Sequence, residues 1–333
     1  MHATPSLVIQ TSFLGDVVLT TPLLRRLAPR GPVTVVTTPA AAGLLEGHPD
    51  VARLVVYDKR GADAGIGGFV RLAQALATDA PDAVAYLAQG SHRTGALARA
   101  AGYHHRVGLA TSSGRIWYTT AVDTPTGMHH AERLWRLAGD RDAPADVLRP
   151  HLAPGAEHVD AAMALLRAHG AQDEPLVALA PGSVWGTKRW PHYAQLAHAL
   201  RELRPVVIGS RDDAGIAAEV LAAAPRAIDA TGRLPLLGAA ALIGRCRAVV
   251  TNDSLPLHLA SAMDTPTVAI FGPTSPTFGF GPLASRRVLV EHPGLDCRPC
   301  HRHGPPHCPL GHFRCMTDVL VPQVMDALRQ VTA

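Results

Sequence analysis

The chain has 333 residues, 47% of them apolar, which is enough for two domains of ordinary size and too apolar for a disordered chain. Its 31 basic and 27 acidic residues leave a net charge of +4 with no block of one sign, which argues against nucleic acid as the main partner. No apolar run reaches the ~20 residues of a membrane-spanning helix, and Met1-His2-Ala3-Thr4-Pro5 is not a basic stretch leading into an apolar core, so the expected compartment is the cytoplasm.

Short apolar runs alternate with helical patterns along the chain. Residues 6–10 predict a strand, 16–28 a helix, 33–37 and 53–57 strands, 69–77 a helix and 83–87 a strand. The pattern weakens over 112–154, where Pro and Gly are frequent, and residues 159–169 predict a helix. A second series follows, with strands at 176–180, 206–209, 248–251 and 267–271. Helices are expected at 193–203, 214–223, 236–245, 257–263 and 317–331. This βαβα rhythm predicts two successive doubly wound parallel-sheet domains with a hinge near 155–175. Ligands of such sheets bind at the carboxyl ends of strands, so the chemistry belongs in the βα loops.

Four loops carry it. In Thr11-Ser12-Phe13-Leu14-Gly15-Asp16, Gly15 permits a tight turn, and Asp16 is either a helix N-cap or a general base. The loop from Pro181 to Pro191 contains Gly182, Ser183, Gly186, Thr187, Lys188 and Arg189 before a helix. Two cations there oppose the helix dipole unless an anion such as phosphate joins them. Lys188 stands out because only it and Lys59 are lysines in a chain that otherwise uses arginine, and an ammonium is a more compact cation than a guanidinium. Lys59 lies in a turn, Asp58-Lys59-Arg60-Gly61, with no evident chemistry. The third loop runs through Asn252-Asp253-Ser254-Leu255-Pro256 to His258; Asp253 or Ser254 can cap the next helix, with Pro256 in its first turn. The fourth is Phe271-Gly272-Pro273-Thr274. Neither a G-x-G-x-x-G nor a Walker loop is present, which disfavours a nicotinamide dehydrogenase.

Taken together, in order and over nearly the whole chain, these loops resemble glycosyltransferase family 9, the ADP-heptose:lipopolysaccharide heptosyltransferases. The tail Cys297-Arg298-Pro299-Cys300…Cys308…Gly311-His312…Arg314-Cys315 looks most like the heptosyltransferase II branch. The resemblance implies an α/β GT-B fold, two Rossmann-like domains facing across a cleft. Residues 1–165 would bind the acceptor and 166–316 the nucleotide-sugar donor, with a helix at 317–333 packing back on the N-terminal domain. It implies inverting transfer of heptose from ADP-heptose to an inner-core heptose of lipopolysaccharide, with Asp16 as base on the acceptor hydroxyl. Ser183, Thr187 and Lys188 would hold the diphosphate. Asp253, Ser254 and His258 would lie at the donor sugar and phosphates, Leu234 at the adenine, and Gly15, Gly272 and Thr274 in the substrate loops. No cofactor is expected for catalysis, because no Asp-x-Asp motif stands beside the diphosphate loops to hold a divalent metal. A lipid-anchored acceptor would bring the protein to the inner membrane as a peripheral partner, with Arg25, Arg26 and Arg30 compatible with such contact.

Two positions depart from the family pattern. Leu255 replaces a common Gly, which leaves a different nucleotide-sugar donor or acceptor as an alternative. Ser210-Arg211-Asp212-Asp213 replaces an acidic ribose contact, and Asp212 or Asp213 can substitute. A non-catalytic nucleotide-binding protein is a further alternative, opposed by the intact Asp16 and Lys188. Cys297, Cys300, Cys308 and Cys315 have three open readings: a structural zinc site, reduced thiols packing an irregular loop, or disulfides. Cys246 is expected to be a small core residue.

Overall fold

A computed structural model describes residues 3–139, 143–144 and 146–333. The chain divides into two compact units, Met1–Ala153 and Pro154–Ala333. The first unit runs β1 (Ser6–Ile9), α1 (Leu14–Leu27), β2 (Val33–Thr37), α2 (Pro39–Ala42), β3 (Arg53–Val56), α3 (Gly65–Ala75), β4 (Val84–Leu87), α4 (His92–Ala100), β5 (His105–Leu109), β6 (Thr120–Val122) and α5 (His130–Trp135). All its strand pairs are parallel, in the order β3-β2-β1-β4-β5-β6. The second unit runs α6 (Ala156–Ala168), β7 (Leu176–Ala180), α7 (Tyr193–Ala199), β8 (Arg204–Val207), α8 (Ala214–Ala223), β9 (Ile228–Asp229), α9 (Leu236–Arg245), β10 (Ala248–Asn252), α10 (Leu255–Ala262), β11 (Thr267–Phe271), β12 (Arg287–Glu291), α11 (Arg314–Thr317) and α12 (Val321–Thr332). Its sheet is also parallel, ordered β12-β11-β10-β7-β8-β9.

The central strands are uninterrupted apolar runs because helices cover both faces of a parallel sheet: every residue of β1, β7, β10 and β11 is buried. Helix α1 buries Val17, Leu23, Leu24 and Leu27 and carries Arg25 and Arg26 in its last turn, where cations suit the helix dipole. Pro22 lies inside α1 and has no N–H for the Val18 carbonyl; the Thr21 hydroxyl donates to that carbonyl instead, at 2.8 Å. The first core joins Leu7, Ile9, Leu87 and Leu97. The second joins Val177, Leu179, Trp190, Tyr193, Ile270 and Leu328.

The domain boundary falls at Ala153/Pro154 rather than at 165/166, because α6 packs on α9 of the second unit. The C-terminal helix α12 packs on β12, β11, β10 and α7 of its own unit, burying Val324, Ala327, Leu328 and Val331 at helical spacing. Strands β5, β6, β9 and β12 and helix α4 lie outside the predicted elements; β6, β9 and β12 are edge strands, β5 lies next to an edge and is exposed at its start, and α4 is short.

Both sheets reverse direction of winding at one place, between β1 and β4 in the first unit and between β7 and β10 in the second. The loops after these four strands are therefore the expected ligand positions of each unit. Replacing Leu179, fully buried at the centre of the second core, with Ala should lower unfolding stability by about 2–5 kcal/mol, read from urea melts.

Candidate active site

In the first unit the chain leaves β1 and enters α1 through residues 10–13. Buried Gln10 organises this turn. Its Nε2 donates to Thr20 Oγ1 (3.2 Å), its Oε1 accepts the Ser12 N–H (3.3 Å), and Thr20 Oγ1 donates in turn to the Asp16 carbonyl (2.7 Å). The Ser12 hydroxyl donates to Asp16 Oδ2 at 2.6 Å. The other carboxylate oxygen, Oδ1, lies 3.8 Å from His130 Nε2 at the start of α5. The N-cap of α1 is Phe13, so Asp16 is in the first helical turn and not the cap itself, and Gly15 is helical rather than in a positive-φ turn. Sequence reasoning had no signal for His130, which is more than a hundred positions from Asp16 in a region of weak pattern.

Beside this carboxylate lies a cavity of about 530 Å³, lined by Ser12, Phe13, Tyr57, Lys59, Arg60 and Gln89 among others. It opens at the carboxyl ends of β1, β2, β3 and β4. Lys59 Nζ donates to the Thr11 carbonyl at 3.0 Å, and Arg93 lies over the Tyr57 ring, 5.7 Å from its centroid. Burial, followed by the neighbouring Arg60 and Arg93 charges, lowers the Lys59 pKa. The nearby Asp58 carboxylate accepts the Gly61 and Ala62 N–H groups (2.9 and 3.1 Å) within its own turn. Among the described residues, Lys59, Arg60 and Arg93 form none of the ion pairs within 4.0 Å, so the cavity is electropositive. Lys59, which the sequence left without a role, is therefore part of the wall of this cavity.

In the second unit the site is built around Asn252, the last residue of β10. Its Nδ2 donates to the Pro181 carbonyl at 2.9 Å, with the Ala180 and Gly182 carbonyls at 3.4 Å, while its Oδ1 accepts the Trp190 N–H (3.2 Å) and the Tyr193 hydroxyl (3.4 Å). Both ends of the 181–191 loop are thereby fixed to one strand end, and Arg189 Nε closes the loop onto the Ser183 carbonyl (2.9 Å). Lys188 Nζ then donates to Asp253 Oδ2 at 2.6 Å and to the Asp253 carbonyl at 3.3 Å. The Thr274 hydroxyl donates to the same Oδ2 at 2.8 Å. Lys188 and Asp253, two of the expected donor residues, and Thr274, expected in a substrate loop, meet at the Asp253 carboxylate.

The detail differs from expectation in four ways. Lys188 ends a short 3-10 turn, Gly186–Lys188, and α7 begins only at Tyr193, so the N-terminus of α7 does not oppose its charge. Its counter-charge within the protein is Asp253. Asp253 is thereby engaged with Lys188 and Thr274, and Ser254, the N-cap of α10, makes no side-chain cap bond. Ser254 Oγ is buried with no hydrogen-bond partner among the described residues, directly at the N-terminus of an eight-residue helix. The Thr187 hydroxyl donates to the Pro305 carbonyl and so fastens the loop to the tail. Ser183 and His258 are buried, and Leu234 is half-buried in front of α9. Asp213 turns its Oδ2 back to the Ser210 N–H and hydroxyl, and its carboxylate sits where a side chain on Gly182 would be.

The tail buttresses these loops. Arg298, unremarked in the sequence, donates to the carbonyls of Gly272, Phe271 (3.2 Å), Thr274 (3.3 Å) and His292 (2.8 Å) and pairs with Glu291 at 2.8 Å. The Cys300 N–H reaches the Pro273 carbonyl at 3.0 Å. Gly304 has φ +88°, and a Cβ there would come within 3.2 Å of Lys188 Cγ, so the backbone packs directly on the lysine stem. Cys297, Cys300, Cys308 and Cys315, the candidate zinc ligands, lie near enough to influence one another's ionisation. Among the described residues no three His, Cys, Asp or Glu side chains group to hold a metal, and all five cysteines are free. Cys315 points into the core of the unit, while the Cys308 sulfur accepts the Phe313 N–H at 3.4 Å. Burial opposes ionisation of Cys308, but backbone N–H groups of Phe313, Leu310, Gly311 and His312 outweigh it and lower the pKa. Burial pushes Cys315 to about 11 and Cys246 to about 12.

The chain is similar to known proteins in sequence and in fold. The profile of glycosyltransferase family 9 (heptosyltransferase) matches residues 69–308. The chain is 31% identical to lipopolysaccharide heptosyltransferase 2 of Salmonella typhimurium, over 86% of this chain and 87% of that protein. It is 30% identical to the Escherichia coli protein of the same name, again over 86% and 87%. The structure of E. coli ADP-heptose lipopolysaccharide heptosyltransferase II superposes with a TM-score of 0.80 at 25% identity, covering 99% of this chain and 98% of that one. A family 9 glycosyltransferase from Veillonella parvula superposes with a TM-score of 0.85 at 24% identity, over 100% and 98%, and shares the fold.

The thiol environments set an order of reactivity. N-ethylmaleimide at pH 7 should label Cys308 first, with Cys246 and Cys315 slower by at least about tenfold, because only thiolate reacts. Peptide mass spectrometry over a time course reads the order, and equal rates at Cys308 and Cys246 would contradict it.

Proposed function

The chain belongs to glycosyltransferase family 9, and on that premise we propose that it moves a heptose from ADP-heptose to a heptose of the lipopolysaccharide inner core, with inversion at the anomeric carbon. It is a glycosyltransferase, an α/β enzyme whose structural neighbours are GT-B heptosyltransferases. The observation that carries the donor reading is the Lys188–Asp253–Thr274 set beside Ser254.

Asp253 takes Lys188 through two acceptors, which leaves one of the three ammonium N–H donors for a phosphate oxygen. The Leu255 N–H at the start of α10 adds a backbone donor, Pro256 having none and the Leu257 N–H going to the Ser254 carbonyl, and the buried Ser254 hydroxyl adds a further donor. These groups gain strength as charge builds on the departing ADP, so they act in the transition state and not only on the bound donor. Leu234, ahead of α9, and His258 complete the donor side in this reading, for adenine and sugar respectively.

The first unit serves the acceptor. Asp16 acts as base: Ser12 holds one oxygen and the other is directed at the hydroxyl to be activated. The cavity next to it, where Lys59 and Arg60 outnumber the Asp58 carboxylate, suits a sugar bearing carboxylate or phosphate, and the exposed Phe13 at its edge offers an apolar face to a sugar ring. No helix among the described residues is long and apolar enough to cross a membrane. We place the enzyme in the cytoplasm, meeting its lipid-anchored acceptor at the inner membrane surface.

ADP should raise the melting temperature of the protein, and UDP, GDP and CDP should not do so to a comparable extent; stabilisation by UDP or GDP alone overturns the donor assignment. Lys188→Ala should weaken ADP binding by about 10–100-fold while adenosine binding changes little, as measured by calorimetry. Equal loss of both ligands would remove Lys188 from the phosphate site. Asp16→Ala should abolish transfer and leave ADP affinity within about twofold; near-normal turnover in that variant would show that another group is the base.

A further inference from the structure

The Asp16 carboxylate is asymmetric. Oδ2 is occupied by the Ser12 hydroxyl at 2.6 Å, while Oδ1 looks across 3.8 Å to His130 Nε2. That separation is too long for a direct hydrogen bond, yet one oxygen atom can sit about 2.8 Å from both ends of it. Both side chains are 15% exposed, so the gap is sheltered but reachable.

Packing and hydrogen bonds position both walls of the gap. Helix α5 buries Ala131, Leu134 and Trp135 and packs along α1, and Arg26 of α1 lies over the Trp135 ring, 5.4 Å from its centroid. On the other side, the Gln10–Thr20–Ser12 network fixes Asp16. A carboxylate facing one ring nitrogen favours the tautomer with its proton on that nitrogen, so Nε2 presents an N–H to the gap.

We propose that His130 is a second catalytic residue, and that the attacking hydroxyl of the acceptor sits between Asp16 Oδ1 and His130 Nε2. The hydroxyl donates its proton to Asp16 Oδ1 and its oxygen accepts the His130 N–H. Two contacts define the direction of the remaining lone pair, which attacks the anomeric carbon. In the step, the oxygen–carbon bond forms and the bond from that carbon to the diphosphate breaks, its electron pair leaving with ADP. The hydroxyl proton ends on Asp16 and passes to water after the product leaves. His130 keeps its proton throughout, so its task is to hold and aim the nucleophile rather than to deprotonate it. This assignment rests on Asp16 being the base, and the experiment separates the two.

Steady-state kinetics with ADP-heptose and a deacylated inner-core acceptor would be measured for His130→Leu, His130→Ala and His130→Gln, with Asp16→Ala alongside. ADP-induced thermal stabilisation reports folding and donor binding for each. Loss of one N–H donor should lower kcat/KM for the acceptor by about 10–100-fold in His130→Leu and His130→Ala, with the KM for ADP-heptose within about twofold of the parent. His130→Gln, which restores an N–H, should recover at least about a third of the lost activity on a logarithmic scale. If Leu fails to fold, Ala and Gln carry the comparison. The proposal is overturned if folded His130→Ala keeps the parental kcat/KM for the acceptor, or if Gln is as impaired as Ala, while Asp16→Ala is inactive. If Asp16→Ala itself retains turnover, the base assignment fails and the shared seat for the hydroxyl fails with it.

Discussion

The Asn252 carboxamide is fully buried at the carboxyl end of β10, and every polar atom of it is used. A buried amide is costly unless its donors and acceptor are all satisfied, so the carbonyls at 180–182 and the Trp190 N–H are held to it. That constraint pulls both ends of an eleven-residue loop (181–191) onto one strand end. Without it Lys188 has no fixed place; with it the ammonium lies on Asp253, and Asp253 in turn receives Thr274 from the loop after β11. Three chain segments far apart in sequence meet because one amide cannot be left unpaired.

The same strand order gives the two units the same kind of site position and opposite contents. At the β1/β4 reversal a carboxylate is clamped by a hydroxyl and flanked by an electropositive cavity. At the β7/β10 reversal a cation is clamped by a carboxylate next to a helix N-terminus. Both clamps leave part of the charged group unspent: one oxygen of Asp16 and one N–H of Lys188. A half-satisfied charged group is unfavourable for stability alone, since a buried ion pair stabilises a fold little once desolvation is counted. Its persistence at the ligand position of each sheet is what a base and a phosphate contact require.

The cysteine-rich tail reads differently in three dimensions than in sequence. Its spacing suggests a metal, yet the tail is held by Arg298 to four backbone carbonyls, by Thr187 to Pro305 and by the close approach of Gly304 to Lys188. Guanidinium geometry explains the choice of arginine at 298, because several N–H donors in one plane can serve several carbonyls at once. Cys315 fills space in the core, and the Cys308 sulfur accepts backbone N–H groups.

The alternating apolar runs alone determined the doubly wound class, the order of the central elements and the loops that carry chemistry, because a parallel sheet covered on both faces demands continuous apolar strands. Loop position and charge offered Asp16 and Lys188 as candidates, and the family resemblance added Asp253 and Thr274. Edge elements such as β9 and β12 were illegible, as they are short or partly exposed and carry little pattern. What only the tertiary structure decided is which of these groups touch. That Asp253 pairs with Lys188 and does not cap α10, that His130 comes within 3.8 Å of Asp16, and that Lys59 lines a cavity are outcomes of packing between distant segments. Local sequence reports periodicity and capping preference; it holds no record of which buried polar group finds which partner, because that is settled by satisfying all of them together.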